Sequence, residues 1–324
     1  LETELKHINL SYQTNSGKEY HIPLSYQIFG KDLFTAPVIL INHALTGNSN
    51  ISGENGWWKQ LVGDGQVIDI SMYTILCFNI PGNGFDDFLI EGYEDFTPSD
   101  IANIFLKGLE SLNIKKLYAI IGGSLGGGIG WEMLVKNQQL AEIFIPIACD
   151  FKTHDWLHAQ CLVQKFLLNG NDEPLQKARI HAMLCYRTPQ SLNNRFQNKY
   201  NTEKQKLESE DWLEYHGNAL NERFSLKSYK LMNHLLMNIN ADEEMLEGIQ
   251  ARMHMISVDT DLFFPASEIK ACFEKLKGKK ENVSYHEITS VHGHDAFLME
   301  YKQLNNIIKT ILSQKEIEQT RSFL

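Results

Sequence analysis

The chain has 324 residues, 43% of them hydrophobic and 22% charged, with a formal net charge of −10 at pH 7. That length suits one large domain or a core with an inserted subdomain, and the composition is that of a globular enzyme. The acidic balance argues against a nucleic-acid or anionic-membrane partner. The five cysteines (77, 149, 161, 185 and 272) are odd in number and lack C-x-x-C spacing, so reduced and mostly buried thiols are expected. No apolar run approaches the ~18 residues of a membrane span, and no signal-peptide pattern opens the sequence, so a cytoplasmic protein is expected.

Residues 1–37 read as a β-meander, with alternating apolar and polar side chains at 7–12 and 20–29 around an Asn15-Ser16-Gly17 turn. Residues 37–41 are a near-continuous apolar run, suited to a strand buried on both faces of a parallel sheet. The polar loop 42–47 follows. Residues 50–69, with Trp57-Trp58 and several glycines, predict an irregular segment containing a short helix. Another buried strand at 73–78 leads into a tight turn region at 79–84. Thr97-Pro98-Ser99-Asp100 predicts a helix start, and Ile101, Ile104, Phe105, Leu109 and Leu112 recur at helical spacing.

A β-branched run at 117–121, a glycine-rich turn, a helical segment at 129–135 and a strand at 143–148 come next. This alternation predicts a mostly parallel sheet covered by helices on both faces. From about 152 to 240 no strand-like run occurs; helical segments carry Trp156, Phe166, Tyr186, Phe196, Trp212, Tyr215, Phe224 and Tyr229. The strand pattern resumes at 253–258, followed by a helix at 266–276, a strand at 283–288, a closing helix at about 298–312 and a polar helical tail. The division that follows is a core over 1–151, a helical lid over 152–245, and the rest of the core over 246–324.

The turn at Gly122-Gly123-Ser124-Leu125-Gly126 fits G-x-S-x-G between a strand and a helix, the nucleophile elbow of the α/β-hydrolase fold. The chemistry requires a serine on a strained turn, flanked by glycines that alone fit the crowded positions. The backbone N–H of Leu125 faces the developing oxyanion in such a turn, and Leu45, in the loop after the 37–41 strand, is the second candidate donor. The fold's triad runs serine, acid, histidine, which makes Ser124, Asp261 and His294 the candidates. Asp259 and His292 are the alternatives for acid and base. His43 is expected to order its loop rather than serve as base. His154 and His158, four apart, and the His292-x-His294-Asp295 cluster are read as non-metal sites, since neither brings a further ligand motif.

Five stretches together resemble the homoserine O-acetyltransferase family: 43–47 (HALTG), 122–127 (GGSLGG), 178–179 with 183–187 (AR and MLCYR), 258–262 (VDTDL) and 293–298 (GHDAFL). They are scattered from about 37 to 300 and include the lid. The resemblance implies Asp261 as the acid and His294 as the base. It implies Arg179 on the homoserine carboxylate, Tyr186 lining the same pocket, and Asp295 on the substrate ammonium. A guanidinium for the carboxylate and a carboxylate for the ammonium are what a zwitterionic amino acid requires. The implied activity is ping-pong transfer of acetyl from acetyl-CoA, a co-substrate with no permanently bound cofactor, to the L-homoserine hydroxyl in methionine synthesis. An esterase with the same triad, or an acyltransferase using succinyl-CoA or L-serine, is the alternative. A homodimer through the lid is also implied. The chain departs from the family in the short 80–84 segment, where a longer glycine- and cysteine-containing insertion is usual, and in Leu125, where methionine is common.

Overall fold

The computed structural model describes residues 3–321. Eight strands make one sheet: β1 (Lys6–Gln13), β2 (Glu19–Gly30), β3 (Val38–Asn42), β4 (Thr74–Phe78), β5 (Leu117–Gly123), β6 (Ala141–Ile147), β7 (Arg252–Val258) and β8 (Val283–Ile288). Their spatial order is β1-β2-β4-β3-β5-β6-β7-β8. The hairpin β1–β2 is antiparallel and joins antiparallel to β4; every other pairing is parallel. Successive side chains in the central strands serve opposite faces. Leu40, Leu76, Ile120 and Phe144 enter one apolar core, while Ile39, Ile75, Ile121 and Ile143 enter the other. Both faces are therefore dry, which is why these strands read as continuous apolar runs.

Helix α1 (Pro98–Ser111) begins in a reciprocal capping box between Thr97 and Asp100. Asp100 also accepts from the Tyr12 hydroxyl at 2.9 Å and the Asn15 N–H at 2.7 Å, which pins the first hairpin to this helix. Helix α2 (Leu125–Lys136) leaves the Ser124 turn and is buried along nearly its whole length. Five helices lie between β6 and β7: α3 (Asp155–Leu168), α4 (Pro174–Tyr186), α5 (Pro189–Phe196), α6 (Glu208–Arg223) and α7 (Leu226–Met237). This segment enters and leaves the core through one neck. Lys152 bridges Asn240, and the Thr153 and Ala241 N–H groups donate to the Ile239 and Phe151 carbonyls. Helices α8 (Ala266–Lys277) and α9 (Tyr301–Arg321) complete the core.

Three expectations are corrected. The 50–69 segment forms turns and a two-residue parallel bridge (Val62–Gly63 with Ile68–Asp69) instead of a short helix; glycines at 53, 56, 63 and 65 interrupt any helical turn there. The lid contains a short antiparallel ribbon, Tyr200–Asn201 with Lys206–Leu207, too brief for alternation to reveal. The closing helix begins at Tyr301, because Gly293–Leu298 is a 3-10 turn entered through Gly293 at φ 64°. Its tail is helical to Arg321, and 322–324 lie outside the described residues.

Candidate active site

Ser124 sits between β5 and α2 with φ 53° and ψ −126°, a conformation that costs a non-glycine residue energy and is held by its surroundings. The neighbouring glycines make the turn possible: a Cβ on Gly126 would collide with the Asn42 carbonyl, and one on Gly122 would meet the Gly126 backbone. The Asn42 side chain donates to the Gly126 carbonyl at 3.2 Å, fastening the end of β3 to the turn.

His294 Nε2 lies 2.9 Å from Ser124 Oγ, and His294 Nδ1 lies 2.7 Å from Asp261 Oδ2. A carboxylate accepts only, so Nδ1 carries the proton and the Nε2 lone pair faces the serine hydroxyl. Asp261 Oδ1 accepts from the Phe263 and Phe264 N–H groups at 2.7 and 2.9 Å, which fixes the carboxylate plane. All three side chains are sequestered: Ser124 is 3% exposed, Asp261 4% and His294 4%. The imidazole is boxed by rings, with Phe264 stacked at 5.7 Å and Phe263, Phe297 and Tyr186 at 5.1–5.6 Å.

The alternatives are occupied elsewhere. Asp259 Oδ1 accepts from the Ser290 N–H at 3.0 Å, so it ties the acid loop to the histidine loop. His292 Nδ1 meets Ser191 Oγ at 2.9 Å. His43 is fully buried: its Nδ1–H donates to the Ala44 carbonyl at 2.8 Å, and its Nε2 accepts from the Ile80 N–H at 3.0 Å. Burial pushes His43 down to about 4, so it stays neutral and has no lone pair left for Ser124. His154 bonds Asp150 at 2.9 Å, and no group of three or more metal-ligating side chains forms among the described residues.

The Leu45 and Leu125 N–H groups donate to no protein acceptor among the described residues. Leu125 is the first residue of α2, whose leading N–H groups have no intrahelical partner.

Helix α4 brings Arg179 and Tyr186 to this centre. The Arg179 guanidinium lies over the Tyr186 ring at 5.7 Å, and that ring is 5.6 Å from the His294 ring. Arg179 Nε is buried with no hydrogen-bond partner among the described residues. Burial drives the Tyr186 phenol well above its ordinary range, so it stays neutral. Asp295 is brought in as well, but already paired: Arg187 Nε donates to Asp295 Oδ2 at 2.8 Å.

Three residues escaped the sequence reading of the site. Arg187 stood in a quoted motif without a role. Tyr229 is buried against Arg179 and Tyr186, and burial raises its phenol. Arg223 Nη1 donates to the Thr46 carbonyl at 3.2 Å, next to Leu45; burial, then the charge of Arg179, lowers its pKa. Only the Ala-Arg dipeptide of α4 and the Tyr-Arg dipeptide at its end carried a signal, since Tyr229 and Arg223 lie on other helices and converge only through packing.

The fold and the elbow geometry match the α/β-hydrolase class, and the family model for the alpha/beta hydrolase fold matches residues 37–143. Among solved structures, esterase E22 superposes with a TM-score of 0.86 at 19% identity, covering 96% of this chain and 100% of that one. The homoserine O-acetyltransferase of Staphylococcus aureus superposes with a TM-score of 0.80 at 25% identity, covering 97% and 96%. Among curated proteins, the homoserine O-acetyltransferase of Cyclobacterium marinum is 30% identical over 307 residues, covering 84% of each chain. The chain belongs to the homoserine O-acetyltransferase family.

Proposed function

We propose that this protein transfers an acetyl group from acetyl-CoA to the hydroxyl of L-homoserine through an acyl-serine intermediate, supplying O-acetylhomoserine to methionine synthesis. Ser124 Oγ attacks the thioester carbonyl while His294 Nε2 takes its proton and Asp261 stabilises the resulting imidazolium. The Leu45 and Leu125 N–H groups hold the tetrahedral oxyanion. On collapse the C–S bond breaks, and the thiolate leaves with the proton from His294. His294 then takes the proton of the homoserine hydroxyl as that oxygen attacks the acetyl-serine. Collapse of the second intermediate returns the proton to Ser124 and releases the ester. In the acceptor complex Arg179 grips the carboxylate, Tyr186 lines the pocket and Asp295 receives the ammonium.

The observation that carries the acceptor half is the buried, unpartnered Arg179 Nε, separated from the base by the Tyr186 ring alone. Leaving a guanidinium donor unsatisfied destabilises a fold, and a carboxylate ligand would satisfy it. Sequestration of Ser124 and His294 supports transfer over hydrolysis, because the acyl-enzyme must outlast its exposure to water.

The test is thiol release from acetyl-CoA with and without homoserine, for the wild type and Ser124→Ala. Homoserine-dependent release that falls by at least ~10³ in Ser124→Ala is the expected result. Slow release indifferent to homoserine, alongside cleavage of simple esters, would make the protein an esterase. Faster turnover with succinyl-CoA or with L-serine would reassign the donor or the acceptor.

A further inference from the structure

The carboxylate assigned above to the acceptor ammonium does not stand alone. Asp295 Oδ2 accepts from Arg187 Nε at 2.8 Å, and the two side chains are 19% and 12% exposed. Arg187 directly follows the last residue of α4, the helix that carries Arg179 and Tyr186. Its Nη1 reaches His292 Nδ1 at 3.3 Å, and its guanidinium lies over the Trp212 ring of α6 at 5.8 Å. Two further contacts fix the same junction. Thr188 Oγ1 donates to the Val291 carbonyl at 2.5 Å, and Ser191 Oγ meets His292 Nδ1 at 2.9 Å. A Cβ on Gly293 would crowd the Tyr186 carbonyl, so the backbone of the histidine loop packs directly on the end of α4.

We propose that Arg187 is a positioning residue for the acceptor: it fixes the Asp295 carboxylate through Oδ2 so that Oδ1 faces the substrate ammonium, and thereby sets selectivity for amino-acid acceptors. This rests on the proposed acyl transfer to homoserine. The guanidinium is planar and rigid, and clamping one oxygen fixes the plane of the carboxylate and hence the direction of the other. Asp295 Oδ1 has no protein donor among the described residues, and so remains available to an ammonium. An unclamped Asp295, one residue from His294, would be free to turn toward the imidazole, which becomes cationic during each half-reaction. Arg187 therefore keeps the ammonium-binding carboxylate apart from the catalytic base. It also places both charge-reading groups under the control of α4: Arg179 directly, and Asp295 through Arg187.

The experiment compares kcat and KM for L-homoserine and for 4-hydroxybutanoate, which lacks only the amine, in wild type, Arg187→Gln, Arg187→Lys, Asp295→Asn and the double variant Arg187→Gln/Asp295→Asn. Wild type should prefer homoserine. Arg187→Gln should lower that preference by about 10- to 100-fold, chiefly through KM for homoserine, the range expected for one charge-assisted contact. Arg187→Lys should recover part of the preference, and Arg187→Gln should have little further effect on it in the Asp295→Asn background. Equal losses for both acceptors would show Arg187 to be merely structural and overturn the proposal, as would additive effects in the double variant. If Arg187→Gln does not fold, Arg187→Lys decides: it keeps the charge but not the planar fork, and an undiminished preference sinks the clamp. A wild type that accepts acetyl but does not prefer homoserine would instead sink the acceptor reading itself.

Discussion

At the residue scale, Arg179 sets a function against stability. Its buried Nε lacks a partner, whereas Asp261 is satisfied within the protein by His294 and two N–H groups, and Asp295 has one oxygen held by Arg187. Arg179→Met is therefore expected to move two observables in opposite directions. KM for homoserine should rise by about 10- to 100-fold, the effect of losing hydrogen bonds to a charged group, with kcat less affected. Thermal stability should rise, because an unsatisfied buried donor disappears while the aliphatic stem on Tyr186 is largely retained. A fall in stability with KM unchanged would show Arg179 to be part of the lid's packing. At this scale the elbow serine was legible from its strand–turn–helix setting, while chain order alone left Asp259 beside Asp261 and His292 beside His294, and only the family resemblance separated them. Arg187 was not legible, since its partner lies 108 positions away and only folding shows that Asp295 already holds a cation.

At the scale of elements, His43 links the oxyanion loop to the 79–84 turn, accepting from the Ile80 N–H while donating to Ala44. Around it, Asn83 donates to Asn79, whose own amide bonds Ser25 and Ser49, so a buried polar chain joins β2, β4 and both loops. The short 80–84 segment is held by this network. The strands and helices themselves were readable from periodicity; the irregular 50–69 segment and the Tyr200–Leu207 ribbon were not, because two-residue pairings leave no period to detect. A pH dependence follows from His43. Its folded pKa of about 4 lies below the ordinary 6.5, so between these values the unfolded chain binds a proton that the folded chain refuses. The stability it contributes is fully present above pH 6.5 and is lost as pH falls toward 4, to a limit of about 3 kcal/mol. His254, also lowered to about 4 by burial, acts in the same direction. Urea denaturation at pH 7 and pH 5 should therefore show a smaller loss of stability in His43→Asn than in wild type. An equal loss in both would mean that His43 is not the group that titrates.

At the scale of the whole molecule, the lid exposes an apolar helix face. On α3, Trp156, Val163 and Phe166 are 53%, 43% and 68% exposed, and their spacing of seven and three residues sets them along one side of the helix. The Trp156 indole N–H is nevertheless fixed, donating to the Leu262 carbonyl at 2.6 Å, so the face is preorganised. An exposed apolar stripe suits burial against a second copy of the same chain, in which two such stripes cover each other about a two-fold axis. The homodimer that the family resemblance implies would bury this face. The neck at Lys152 and Asn240 gives that dimer a catalytic consequence, since docking the lids would restrict the insertion that carries Arg179, Tyr186 and Arg187. Sedimentation of the wild type should give twice the chain mass, and Phe166→Asp should shift it to the monomer. In that monomer KM for homoserine should rise, because the acceptor residues sit on helices that have lost their brace. The serine should still be labelled by a phosphonate, because Ser124, Asp261 and His294 belong to the core. A dimer that survives Phe166→Asp would place the interface elsewhere. A monomer with unchanged KM would mean that the neck and the Arg187–Asp295 contact hold the lid without help from a partner.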